Sequence, residues 1–150
     1  MTKVTKEEVM DYYLLCNRGD LSASPKERLV LALAISAQRN DRVGAALREC
    51  TAWHLCCCPV EDIVICGTIP ESRDLFASHR FLLLPICRDW RTLELRDIKA
   101  AMAREYPAES SRLVGEVCEE GKVRIIDGMH RVISQTCKGA RQFDIYVGRR

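Results

Sequence analysis

A single stretch near the C-terminus, residues 112–148, sets the tightest limits on how this chain folds. Leu113 to Cys118 is a short apolar run with β-branched residues, and Glu119-Glu120-Gly121-Lys122 follows as a turn. Val123 to Ile126 is a second apolar run, so the pair predicts a β-hairpin. Asp127-Gly128 stops the second strand, because that dipeptide favours a turn. Met129, Val132, Ile133, Thr136 and Cys137 then recur at helical spacing, and Lys138-Gly139 closes that helix with a cation and a C′ glycine. Phe143 to Val147 predicts a final strand. The unit is therefore hairpin, sharp turn, helix, strand.

The sharp turn holds Asp127, Gly128, Met129, His130 and Arg131. A strand that enters a helix through glycine gathers free backbone N–H groups and the positive end of the helix dipole at one point, which suits an anion. Gly128 would let a phosphate approach the backbone. Arg131 would add a bidentate contact, and His130 a donor or a proton-transfer group. A second reading stands beside this one. Asp127 would be an ordinary N-cap, with His130 and Arg131 a solvated first turn; an N-cap carboxylate would then compete with an anion for the same N–H groups.

The 150 residues predict one domain, or a small domain with an extension. With 23 basic and 21 acidic residues the net charge is only +2. Whole-molecule electrostatics therefore make no case for nucleic acid, and any such case rests on local patches. The nine cysteines are odd in number and irregular in spacing. Residues Met1 to Val9 are polar and charged, without the pattern of a secretory signal. Reduced, buried thiols in a cytoplasmic protein are the expectation. No apolar run approaches the ~20 residues needed to span a bilayer.

From the N-terminus, Thr2 to Glu8 is expected to open a helix, with Thr5 and Glu8 as a capping box. Val9, Met10, Tyr13 and Leu14 would form its apolar face. Ser24 as N-cap and Pro25 at the first helical position start a second helix. Its expected buried stripe is Leu29, Val30, Leu33, Ala34 and Ala37. A third helix is predicted over Asp41 to Cys50. His54 with Cys56, Cys57 and Cys58 invites a zinc site, but adjacent cysteines rarely aim their sulfurs at one metal and no Cys-x-x-Cys pair occurs. Ile63 to Cys66 and the run from Arg80 to Cys87 predict strands, residues 68–79 a loop with a short helix, and residues 89–106 an amphipathic helix ended by Pro107.

From Phe81 onward the order is strand, amphipathic helix, hairpin, Asp-Gly-Met-His-Arg turn, helix, strand. This order, with the run from Ile125 to Val132 at its centre, resembles the ParB/sulfiredoxin superfamily over roughly residues 80–148. The resemblance implies an α+β class with a small mixed sheet and packed helices. The division would be a helical N-terminal extension over residues 1–58, packed on an α/β domain over residues 59–150. It also implies a nucleotide held by its phosphates at Gly128, Met129, His130 and Arg131. Two departures matter. Sulfiredoxins carry a catalytic cysteine where this chain has Met129, and a thioether cannot act as a thiolate nucleophile. Partition-type members carry Gly-Glu-Arg-Arg where this chain has Gly-Met-His-Arg, and a helix-turn-helix follows in them. Other members are nucleases, ATPases and free-amino-acid kinases. Small plasmid-encoded members suppress conjugative or effector transfer, with ATPase and DNase activity.

Two functions are expected from this. The first is binding and hydrolysis of ATP or another nucleotide, extending to Mg²⁺-dependent DNA cleavage. Asp127, His130 and Arg131 would be catalytic, and Asp127 would hold the metal alone or with Glu116, Glu119 or Glu120. Arg141, Arg149 and Arg150 would add basic surface or a merely solvated end. The second is a non-catalytic regulatory protein that blocks a protein partner through the N-terminal helices. An exposed stripe of Val9, Met10 and Tyr13 would favour it.

Overall fold

Strand alternation decides the layers of this fold. Along Gln142–Arg149, Phe143, Ile145 and Val147 face one core while Tyr146 faces another. Leu113 and Val114 divide in the same way on Leu113–Val117, as do Ile125 and Ile126 on Val123–Asp127. Both faces of the sheet are thus apolar, so helices must cover both. The computed structural model describes residues 1–39, 41–66, 80–82 and 112–150. The helix expected over 89–106, the loop and helix over 68–79 and the far part of the 80–87 run lie outside these.

Among the described residues the strands are β1 (Thr2–Val4), β2 (Ala52–Pro59), β3 (Ile63–Cys66), β4 (Arg80–Leu82), β5 (Leu113–Val117), β6 (Val123–Asp127) and β7 (Gln142–Arg149). They form one mixed sheet in the order β1-β2-β7-β5-β6-β3-β4. β5 runs parallel to β7 and β3 parallel to β6; the other neighbours are antiparallel. The helices are α1 (Lys6–Cys16), α2 (Pro25–Ala37), α3 (Arg42–Glu49) and α4 (Met129–Cys137). The fold is mixed α+β. None of these helices is long and apolar enough to cross a membrane.

Helices α1 to α3 cover the face that bears Trp53, Val114, Ile126 and Tyr146. Helix α4 covers the other through Val132 and Ile133, against Ile63, Ile65, Leu113, Ile125, Ile145 and Val147. Local chemistry starts the helices as expected. Thr5 Oγ1 accepts from the Glu8 N–H at 3.1 Å, and Ser24 Oγ accepts from Glu27 N–H at 3.3 Å with Pro25 behind it.

Three expectations change. Thr2–Val4 does not open α1; it is a strand paired with Trp53 to Leu55 of β2. Next, α2 buries Ala32 and Ser36, while Val30 is 63% exposed and Ala34 and Ala37 are exposed. The reason is a close approach of α2 to α3. Ser36 Oγ accepts from the Gly44 N–H at 2.7 Å, and only small side chains fit there. Finally, the division expected between residues 58 and 59 falls inside β2. All eight residues of that strand pair with β7, so the first 58 residues contribute two strands as well as helices.

One close contact fixes the middle of the sheet. A Cβ on Gly115 would lie 2.7 Å from Val123 Cγ1 and 2.9 Å from the Arg124 carbonyl oxygen, beside the register shift between β5 and β6. Gly115→Ala should therefore cost about 1–3 kcal/mol through overpacking, read as a lower urea midpoint at unchanged slope. A midpoint equal to that of the native chain would contradict this packing.

Candidate functional site

The Asp127-to-Arg131 turn forms where the sheet ends and α4 begins. β6 extends through Asp127, one residue further than expected. Gly128 then takes φ 92°, a left-handed conformation that L side chains rarely adopt, and it is Gly128 rather than Asp127 that caps α4. Glycine has no side chain to give, so the helix starts without a side-chain cap. The positive end of the helix dipole is left to other groups.

The space beside Gly128 is already used. A Cβ there would meet Leu113 Cδ2 at 2.5 Å and Arg131 Nη2 at 2.6 Å. The glycine thus admits the guanidinium of Arg131, three residues along the same turn, where a phosphate had been expected. Arg131 is only 6% exposed. Its Nε is buried with no hydrogen-bond partner among the described residues. A desolvated cation with an unmatched donor is costly, because burial removes water without a replacement.

Helices α1 and α2, with β7 and the start of β5, bring further groups to this sheet end. The Tyr12 hydroxyl of α1 donates to the Arg112 carbonyl at 2.6 Å. Burial pushes the Tyr12 pKa up strongly, aided by its hydrogen bond to Cys16, while the charge of Arg131 pulls it down. The Tyr146 hydroxyl donates to Glu8 Oε1 at 3.2 Å and accepts from Arg112 Nη1. The Arg112 guanidinium lies 5.4 Å from the centre of the Tyr146 ring, and the rings of Tyr12 and Tyr146 are 5.3 Å apart. Arg39, just past the end of α2, places Nη1 4.0 Å from Asp127 Oδ1. Burial raises the pKa of Tyr13, which also feels Asp127 and Arg39.

The five residues expected here all lie at the turn from β6 into α4, in different surroundings. Met129 packs its side chain partly buried against the core under α4. His130 is exposed on the first turn of α4. Asp127 is largely covered. Burial raises its pKa above the ordinary value, against the opposing pull of Arg131, Arg39 and the Gly128 N–H, which donates to its carboxylate.

Those surroundings do not fit Asp127 as a Mg²⁺ ligand. Two guanidinium groups and a helix N-terminus make the place electropositive, and a divalent cation there would be repelled. The carboxylates expected to assist lie elsewhere. Glu116 is buried in ion pairs with Arg124 at 2.6 Å and Arg150 at 3.2 Å. The Glu119–Gly121 turn lies at the opposite end of β6, about 13 Å away along the strand. Among the described residues no group of three or more His, Cys, Asp and Glu side chains is placed to hold a metal. Cys56, Cys57 and Cys58 are successive residues of β2, so they alternate between faces and do not converge. Arg141 and Arg149 flank β7 at opposite ends and Arg150 pairs with Glu49 and Glu116, so the three form no common basic patch.

Tyr12, Arg39, Arg112 and Tyr146 were not expected at this site. The spacing Glu8, Tyr12, Cys16 places three polar tips on one face of α1, but nothing in it brings Arg39, Arg112 or Tyr146 to that face. No family model, curated protein or solved structure matches this chain.

The raised Asp127 pKa has a consequence for stability. Its ionised form is disfavoured in the fold, so the associated cost is absent below the unfolded value of about 3.9 and grows as pH rises through the folded value. Asp127→Asn should therefore raise the thermal midpoint at pH 7, with the gain fading towards pH 3.5. A lower midpoint at pH 7 would mean that the Gly128 and arginine contacts outweigh burial.

Proposed function

We propose that this protein binds a nucleotide through its phosphates at the Asp127-to-Arg131 turn. The observation that carries the reading is Arg131: a cation 6% exposed, whose Nε has no hydrogen-bond partner among the described residues, beneath a helix start that has no side-chain cap. An anion at this point would match the orphaned donor and the helix dipole at once. Tyr12, Tyr13 and Arg39 enclose the same sheet end, which would keep water from competing for the contacts.

The reading also draws on the resemblance to the ParB/sulfiredoxin superfamily. The hairpin β5-β6, the glycine turn, α4 and β7 occur in the order that the resemblance leads one to expect, within a mixed sheet. ATP is the nucleotide we put first. Arg131, admitted by Gly128, would hold the phosphates, with the α4 N-terminus supplying the dipole. His130, exposed beside them, is the residue to which this reading gives proton transfer in hydrolysis. Since the donor set around Asp127 does not suit a divalent cation, no metal-dependent cleavage of DNA is built on it.

The regulatory alternative has lost the stripe that would have favoured it. Val9, Met10 and Tyr13 are at most 2% exposed, packed under the sheet face that α1 covers. Its remaining apolar candidates among the described residues are Met1, Leu15 on α1, Leu21 between α1 and α2, and Val30 on α2.

Thermal-shift measurements with ATP, ADP, CTP and GTP test the proposal directly. At a hundredfold excess over Kd, binding stabilises by about 2.7 kcal/mol, or roughly 5–10 °C for a chain of this size. Arg131→Lys should remove most of that shift, because a point charge cannot replace the planar fork. His130→Ala should keep the shift and lose turnover. Unchanged melting with all four nucleotides at millimolar concentration would contradict the proposal.

A further inference from the structure

We infer that the N-terminal helix supplies a second lobe of this site, in which Tyr12 and Arg112 receive a second anionic group, so that the ligand is a di- or triphosphate rather than a single phosphate. The inference rests on the phosphate reading of the Arg131 turn and extends it. Two guanidinium groups flank Tyr12. Arg131 acts on its hydroxyl by charge, and Arg112 holds that hydroxyl through its own carbonyl. The Arg112 side chain is pinned next to Tyr12 by the Tyr146 hydroxyl and ring.

Neither Arg112 nor Arg131 forms an ion pair with a described carboxylate, whereas Arg28, Arg39, Arg48, Arg124 and Arg150 each do. The carboxylates nearest the pair are already engaged. Glu8 accepts from Tyr146, and Asp127 accepts from the Gly128 N–H and faces Arg39. Arg131 is buried and Arg112 half-buried, and neither has a carboxylate ion pair among the described residues, so one phosphate would neutralise only one of the two charges. A ligand with two linked phosphates would answer both, with the Tyr12 hydroxyl turned from the Arg112 carbonyl to donate between them. Specificity for the longer phosphate chain would then come from α1 and β5, elements outside the turn itself.

Calorimetric titration of the full chain with inorganic phosphate, pyrophosphate, AMP and ATP, without added metal, separates the possibilities. The native chain should bind pyrophosphate and ATP at least about tenfold more tightly than phosphate and AMP. Arg112→Gln should bring that ratio close to one while leaving phosphate affinity in place. Tyr12→Phe, which keeps the ring and so the packing, should lower the ratio several-fold and serves if Arg112→Gln does not fold. A ratio unchanged in the folded variants, or equal affinities for all four ligands in the native chain, overturns the second lobe but not the Arg131 site. Failure of the native chain to bind any of the four overturns both.

Discussion

The pairing of β2 with β7 is the interaction on which the rest of this structure depends. Eight consecutive residue pairs, from Ala52 with Arg149 to Pro59 with Gln142, join the first third of the chain to its last ten residues. On its other edge β7 receives β5 in parallel, and through β5 the hairpin and α4. One strand therefore fixes α1 to α3 and α4 relative to each other. Closing so long a loop costs entropy that local contacts cannot return. The offset comes from apolar burial on both faces at once, with Ile145 and Val147 on one and Tyr146 on the other.

The same pairing explains the chemistry at the sheet end. It lays α1 across the sheet so that Tyr12 reaches Arg112 and feels Arg131, across 100 residues of sequence in the first case. A sheet end is where parallel strands hand over to helices, and its backbone groups need partners. Here Asp127 answers one N–H, and glycine leaves the helix start open. The result is an electropositive place with a buried guanidinium in it. Glu116, also buried, has ion pairs with both Arg124 and Arg150. The contrast between Glu116 and Arg131 is what supports the proposal of Arg131 as a binding group.

Much of this was legible in the sequence where local chemistry decides. The Thr5 and Ser24 caps, the hairpin around residues 119–122, the start of α4 and the final strand all follow from residue types acting on their neighbours. The sharp turn from strand to helix at Asp127 to Arg131 was legible for the same reason. Which residue caps it was not, because Asp127 is a strong N-cap by type yet sits in the last strand position, held there by pairing with Val114. The buried face of α2 was illegible for another reason. Leu29 to Ala37 is apolar nearly all round except for Ser36, so periodicity cannot choose a side, and the choice falls to the Ser36–Gly44 contact. Tyr12, Arg39 and Arg112 were illegible because only the β2–β7 register assembles them.

The account stands or falls on the Nε of Arg131, unmatched among the described residues, and nitrogen-15 NMR of arginine side chains observes that group directly. In the free protein the Arg131 Nε–H should appear as a resonance shielded from solvent yet without the downfield shift of a hydrogen bond. Addition of pyrophosphate should move it downfield and slow its exchange further, with Arg28 and Arg124 as unmoved references. A resonance that stays in place at saturating ligand, or one already shifted in the free protein, would contradict the claim that this guanidinium waits for a phosphate.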